Sequence, residues 1–239
     1  MPRSAQTASL LPKPRTWFGK EIATLYPGCF ALVMATGIIS NGLLFEGHRQ
    51  WSDALFAINS VAYPWLMVLT VVRFVRFRQA AWSDLINPRL VFSFFTIVAG
   101  TDVFGIGLDL RGHATAELCL WLFALLVWLV LIYFSFAVLT FLNTAVGADV
   151  IHGAWLNAIV GTQSLVVLGA LVAPGLGDLG GSVFVLIHML WVSGWAFTAF
   201  SSRSSPIDFS SLMSAPTTSR PCCGWSWAPR RSAPMPGRF

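Results

Sequence analysis

The chain has 239 residues, with 15 Lys plus Arg against 10 Asp plus Glu, and a mean hydropathy of +0.70. Charged residues make up 10 % and hydrophobic residues 56 %, where an ordinary soluble domain carries about 25 % charge. So few charges cannot clothe a soluble globule of this size. That excludes a disordered protein, a soluble enzyme of ordinary composition and a nucleic-acid-binding domain; a polytopic membrane protein needs no such cover, because lipid solvates its sides. The net charge of +5 then reports Lys and Arg at the cytoplasmic ends of spans.

Residues 1–20 hold Arg3, Lys13, Arg15 and Lys20, with Pro12 and Pro14 and no apolar core. They lack the pattern of a secretory signal and read as a cytoplasmic arm. Six stretches then reach the roughly 20 apolar residues that cross about 30 Å of hydrocarbon: 26–45, 55–75, 90–108, 118–142, 153–173 and 181–200. The runs are continuous rather than alternating, so they read as helices and not as barrel strands. Pro27 marks a first-turn start and Pro64 a kink in the second span. Residues 201–239 hold ten Ser, six Pro and five Arg and no further span. This tail reads either as a genuine basic tail or, the favoured reading, as a frameshifted segment replacing later spans. The predicted organisation is an arm (1–20), a membrane domain (21–200) and a tail (201–239).

The short loops orient the bundle. With the N-terminus inside, the inner side receives Arg3, Lys13, Arg15, Lys20, Arg73, Arg76, Arg78 and Arg89; the outer side receives Arg49 and Arg111. Eight against two predicts a cytoplasmic N-terminus. The connection 143–152, which ends at His152, carries no Lys or Arg and does not vote.

The spans alternate in character. The first, third and fifth are rich in small and polar residues and share short signals: Ala35-Thr-Gly37, Ala99-Gly-Thr101 and Val160-Gly-Thr162. The second and fourth are bulky, and the sixth is intermediate. Small residues let helices approach closely, and polar ones require partners or water. The expected fold is therefore all-α, a polytopic membrane bundle of repeated hairpins, each with an inner and an outer helix.

Asp102 is the most informative single residue. A mid-helix Asp costs about 2.5 to 3.5 kcal/mol on insertion, and the eleven Leu, Ile, Phe and Val between Leu90 and Leu108 return on the order of 5 kcal/mol. The span inserts, and the carboxyl must face protein or a hydrated cavity. It reads as a pore or proton-linked residue, or as a hydrogen-bonded structural acid. His188 reads first as a packed, hydrogen-bonded residue. Asn41, Asn157, Thr162 and Gln163 either line a hydrated path or bind helices together. The four cysteines, Cys29, Cys119, Cys222 and Cys223, read as free thiols, the first two buried. No nucleophile elbow, P-loop, dinucleotide fingerprint, zinc spacing or HExxH is present, so no catalytic residue, metal site or cofactor is assigned and the chain is not read as an enzyme.

Three segments resemble a known family. Tyr26-Pro-Gly-Cys-Phe-Ala-Leu-Val-Met-Ala-Thr-Gly-Ile-Ile-Ser40, Phe94-Phe-Thr-Ile-Val-Ala-Gly-Thr-Asp-Val-Phe-Gly105 and Gly153-Ala-Trp-Leu-Asn-Ala-Ile-Val-Gly-Thr-Gln-Ser-Leu165 resemble the first, third and fifth spans of the tellurite-resistance/C4-dicarboxylate transporter family. That family includes malate permeases, sulfite efflux pumps and slow anion channels. The resemblance covers Trp17 to Phe200. It implies ten spans in five hairpins, odd helices around a pore, trimers, and passage of C4-dicarboxylates such as malate or of smaller anions. A fixed charge at Asp102 would repel an anion in a low-dielectric pore, so the resemblance implies a neutral or proton-coupled acid there. Thr36, Asn41, Thr101, Asp102, Asn157 and Gln163 are the expected path-lining residues. The chain departs from the family in having six spans of the expected ten and no counterpart of the gating aromatic of a later span. It therefore reads as truncated, and by itself it is expected to transport little. The open alternatives are a passive anion channel and a non-transporting membrane fragment. The expected partners are a small anion and the bilayer, with no nucleic acid.

Overall fold

A computed structural model of the chain describes residues 22, 24–87, 90–142 and 156–204. The arm 1–20, Arg89, the connection 143–155 with His152, and the tail from 205, with Cys222 and Cys223, lie outside the described residues. Those described form seven α-helices: α1 (Ala31–Phe45), α2 (Arg49–Arg76), α3 (Arg78–Ile86), α4 (Phe95–Asp109), α5 (Ala114–Leu142), α6 (Leu156–Val172) and α7 (Gly180–Ser204). No strand occurs among them. Five helical stretches are long and apolar enough to cross a membrane. The last, Leu156–Ala199, contains two helices, α6 and α7, broken at Ala173–Leu179, where Gly177 takes φ 53° and ψ −120°.

The sequence explains where the helices start and stop. Short 3-10 turns, Pro27–Phe30 and Val91–Phe94, lead into α1 and α4. Tyr26, before Pro27, is extended at φ −69° and ψ 130°, as the proline ring demands. α1 and α4 end alike. Gly47 (φ 81°) and Gly112 (φ 80°) take the left-handed conformation, and the amides of His48 and His113 reach back to the carbonyls of Leu43 and Leu108 at 2.9 and 3.1 Å. This is a Schellman close, in which glycine carries the positive φ without a Cβ penalty. α2 runs unbroken through Pro64, with Arg73 and Arg76 in its last turn, where they complement the helix dipole. Its 28 residues span about 42 Å, more than the hydrocarbon needs.

The helix α3, between the second and third spans, has no counterpart among the predicted elements. Arg73 is buried and forms an ion pair with Asp84 on α3, and Trp82 meets Phe134 of α5 edge-on at 5.5 Å. Its nine residues are too short to cross lipid, and these two contacts hold it against α2 and α5.

The hairpins α1–α2, α4–α5 and α6–α7 pack side by side through their inner helices. α4 packs against both α1 and α6, with α2, α5 and α7 as the outer members. Burial follows this order: 83 % of the apolar stretch ending at Asp109 is buried, against 11 % for α2 and 22 % for α5. The outer helices carry the exposed apolar residues, among them Val61, Trp65, Val68, Leu126, Val130 and Tyr133. The core between the inner helices is built on Phe30, Val33, Phe95, Val98, Leu165 and Leu168. Cys29 is half-buried, but Cys119, on the outer helix α5, is exposed rather than buried.

Candidate functional site

The polar residues of the inner helices lie mainly in two seams, where α4 meets the α1–α2 hairpin and where α6 meets the α4–α5 hairpin. The seams repeat the same contacts. At one level a glycine meets backbone: a Cβ on Gly100 would lie 3.3 Å from the Phe30 carbonyl oxygen, and a Cβ on Gly161 3.3 Å from that of Phe95. One residue on, a threonine meets an aromatic donor of the preceding outer helix. Tyr63 hydroxyl donates to Thr101 Oγ1 at 3.1 Å, and Trp128 Nε1–H donates to Thr162 Oγ1 at 2.9 Å. Both threonines donate their own hydroxyl hydrogen to the carbonyl four residues back, Ile97 and Ala158. Near the far end a second glycine meets a second aromatic, Gly107 with Phe56 and Gly169 with Trp121. In lipid, burial of apolar side chains gives little net drive, and association rests on such close packing and hydrogen bonds. The register places Thr36, Thr101 and Thr162 in equivalent positions, so Ala35-Thr36 matches Gly100-Thr101 and Gly161-Thr162, one residue away from the tripeptide match read in sequence.

Asp102 lies fully buried between α4 and α6. Ser164 donates its hydroxyl to Asp102 Oδ2 at 2.6 Å, while Asp102 Oδ1 is buried without a partner. Thr101 is fully buried against Tyr63. Asn41 is buried and donates Nδ2–H to the Val103 carbonyl at 3.3 Å, and its Oδ1 is buried without a partner. Thr36 is half-buried, bonded to the Leu32 carbonyl and 3.4 Å from Asn59 Oδ1. Gln163 turns toward α7, with Nε2 3.5 Å from the Trp191 carbonyl. Asn157 is half-buried in the first turn of α6. Thus Asn41, Thr101 and Asp102 are brought into the contacts of α4, while Gln163 serves the α6–α7 hairpin. His188 and Asp102 do not pair: His188 Nδ1 lies 2.7 Å from the Phe184 carbonyl of its own helix, on an exposed face.

A second polar cluster ties the hairpins at the end that carries Gly47 and Gly112. Arg111 donates to the Gly107 carbonyl at 3.0 Å, to Ser52 Oγ at 3.1 Å and to Asp53 Oδ1 at 3.0 Å. Its guanidinium lies 3.8 Å from the centroid of the Phe56 ring, a cation–π arrangement. Among the described residues, no group of three or more His, Cys, Asp or Glu could hold a metal ion.

Residues 24–203 match the voltage-dependent anion channel family, a stretch that takes in all three hairpins. The chain belongs to that family. It is a multi-pass membrane protein, with helical stretches long and apolar enough to cross a bilayer. It is also similar to an uncharacterised transporter of Methanocaldococcus jannaschii, 27 % identical over 189 residues that cover 73 % of this chain and 52 % of the relative. The chain thus spans about half the length of that relative. No solved structure matches it.

Within this family member, sequence reasoning missed Ser164, the donor to Asp102, and the aromatic pairs Phe56/Tyr63 and Trp121/Trp128. A signal for the pairs was present. Each is spaced by seven residues, two helical turns, on an otherwise lipid-facing helix. Ser164 carried no such signal, because only the packing of α4 on α6 singles it out from the other serines.

Proposed function

We propose that the chain forms part of an anion path across the inner (plasma) membrane, carrying C4-dicarboxylates of the malate type or related small anions, with its N-terminus cytoplasmic. The observation that carries this reading is the family match over residues 24–203, which falls on three hairpins whose small, polar inner helices pack together. In this reading residues 21–200 are the membrane domain, 1–20 a cytoplasmic arm and 201–239 a tail outside it. Thr36, Asn41, Thr101, Asp102, Asn157 and Gln163 border the path, and Asp102 is the group that links it to protons. Three inner helices form only part of a closed wall, so the chain by itself carries little flux and the activity belongs to the longer protein or to an assembly that completes the wall. The resemblance also implies trimers.

Proteoliposomes containing the purified chain test this. Uptake of labelled malate and chloride should be weak but should exceed that of potassium. Equal anion and cation leakage would overturn the anion reading, and robust malate flux would overturn the claim that six spans do not suffice. Dependence on an imposed proton gradient, lost in Asp102→Asn, separates a coupled transporter from the second reading, a passive channel. Retained insertion with no flux above empty vesicles marks the non-transporting fragment.

A further inference from the structure

Two carboxyl groups meet where α4 passes into α5. Asp109 ends α4, and Glu117 stands in the first turn of α5. The turn at Gly112, with its φ of 80°, folds the chain back between them, and the two side chains are hydrogen-bonded to each other. Glu117 is 2 % exposed, and its Oε1 is buried with no donor from the protein. Asp109 is half-buried, so water reaches the pair through it.

The charged and titratable neighbours are all engaged or placed elsewhere. Arg111, in the turn itself, donates to Gly107, Ser52 and Asp53. The side chain of His113 is exposed, and only its backbone carbonyl serves Glu117, accepting the Glu117 amide at 3.1 Å. The other acid of α4, Asp102, takes the Ser164 hydroxyl. α6 and the turn Val91–Phe94 pack on α5 and carry no titratable side chain. Asp178 lies in the turn packed on α6 and α7, and His188 of α7 faces the Phe184 carbonyl of its own helix. α3 meets α5 at Phe134, far along the helix from Glu117. On α5 itself Cys119 and Tyr133 are exposed.

Two ionised carboxylates are acceptors only and cannot bond to each other; a proton must lie between them. We propose that Asp109 and Glu117 form a one-proton binding site, and that the shared proton locks the first turn of α5 onto the last turn of α4. Such a pair loses its protons in two steps that belong to the pair. The second step falls well above the ordinary glutamate value of about 4.3, because it leaves two negative charges side by side with one of them buried. The closed turn therefore holds the proton more tightly than the open one does. The lock is complete in acid and fails as pH rises through the second step. Glu117 then swings into water, where its charge still complements the N-terminal end of α5. The site sits at the end that carries Gly47 and Gly112, so it reads the pH on that side of the membrane. This inference rests on the α4–α5 hairpin and not on the transport reading.

Amide hydrogen exchange of the full chain in lipid nanodiscs tests it. The amides of Arg111, Gly112, His113, Ala116 and Glu117 are all bonded within this turn, so their exchange reports its opening. The readout is the rate in the wild type divided by that in Glu117→Gln at the same pH, a ratio that cancels the intrinsic pH dependence of exchange. The glutamine amide supplies permanently the hydrogen that the shared proton supplies, so its turn should stay closed. The two chains should exchange alike at about pH 6, and the wild type about tenfold faster at about pH 8, since one proton changes an opening equilibrium by up to tenfold per pH unit. Asp109→Asn, which donates from the other side, should match Glu117→Gln and replaces it in the test where that chain fails to fold. His113→Gln should leave the rise intact. A ratio that does not change with pH overturns the proposal. So does a Glu117→Gln turn that is already open in acid, or a rise that His113→Gln abolishes.

Discussion

Asp102 and Ser164 show how much one side-chain pair decides in lipid. The hydroxyl is the sole protein donor that reaches Asp102 among the described residues. Ser164→Ala should therefore lower stability by about 1 kcal/mol, read as the midpoint of thermal unfolding in lipid nanodiscs. In an Asp102→Ala background the same substitution should cost less, because the hydroxyl has already lost its carboxyl partner; equal costs in both backgrounds would mean that the bond contributes nothing. Gly161 makes the opposite case, in which any side chain is the problem. A Cβ there already lies 3.3 Å from the Phe95 carbonyl, so the branches of Gly161→Val must push α6 off α4. The expected loss is about 1 to 3 kcal/mol, with the Asp102–Ser164 bond broken in the same step. The importance of Asp102 was legible in sequence from the cost of an acid in a span. Its partner was not, because a serine in a helix carries no mark of what it will face.

At the scale of elements, two arginines do the joining. Arg73 is buried, and its ion pair with Asp84 fastens α3 to the end of α2. Removing the Asp84 carboxylate takes that fastening away. Asp84→Asn should therefore speed amide hydrogen exchange across Arg78–Ile86 about tenfold, the equivalent of about 1.4 kcal/mol in local opening, with little change in α4. Arg111 acts at the other end, where it gathers Gly107, Ser52 and Asp53 over the Phe56 ring. Arg111→Ala should destabilise the bundle by about 1 to 3 kcal/mol. Arg111→Lys should recover only part of that, since a single ammonium cannot reproduce the planar fork or the stacking. In the sequence both arginines read as topology signals near span ends, and α3 was absent from the reading. Its nine residues are too short and too mixed in character to stand out from a loop.

For the whole molecule, the testable consequence is orientation. If the positive-inside balance sets it, a cysteine at Glu46 should react with a membrane-impermeant reagent on intact cells. One at Gln79 should react only after permeabilisation, with the native thiols replaced in both chains. The reverse pattern would place the N-terminus outside and overturn the proposed topology. The alternation of inner and outer spans was legible because small and polar residues are costly against lipid and bulky ones are not. Its assembly into side-by-side hairpins with α4 at the centre follows from packing.

The sequence alone determined the class of this protein, its spans, the character of each helix and its family. These depend on composition over about twenty residues and on local chain stiffness, which no distant contact can change. Only the tertiary structure decided which threonine meets which aromatic and that Asp102 faces Ser164. Those facts depend on register between helices far apart in the chain, where a shift of one residue turns a side chain by about 100° around its helix.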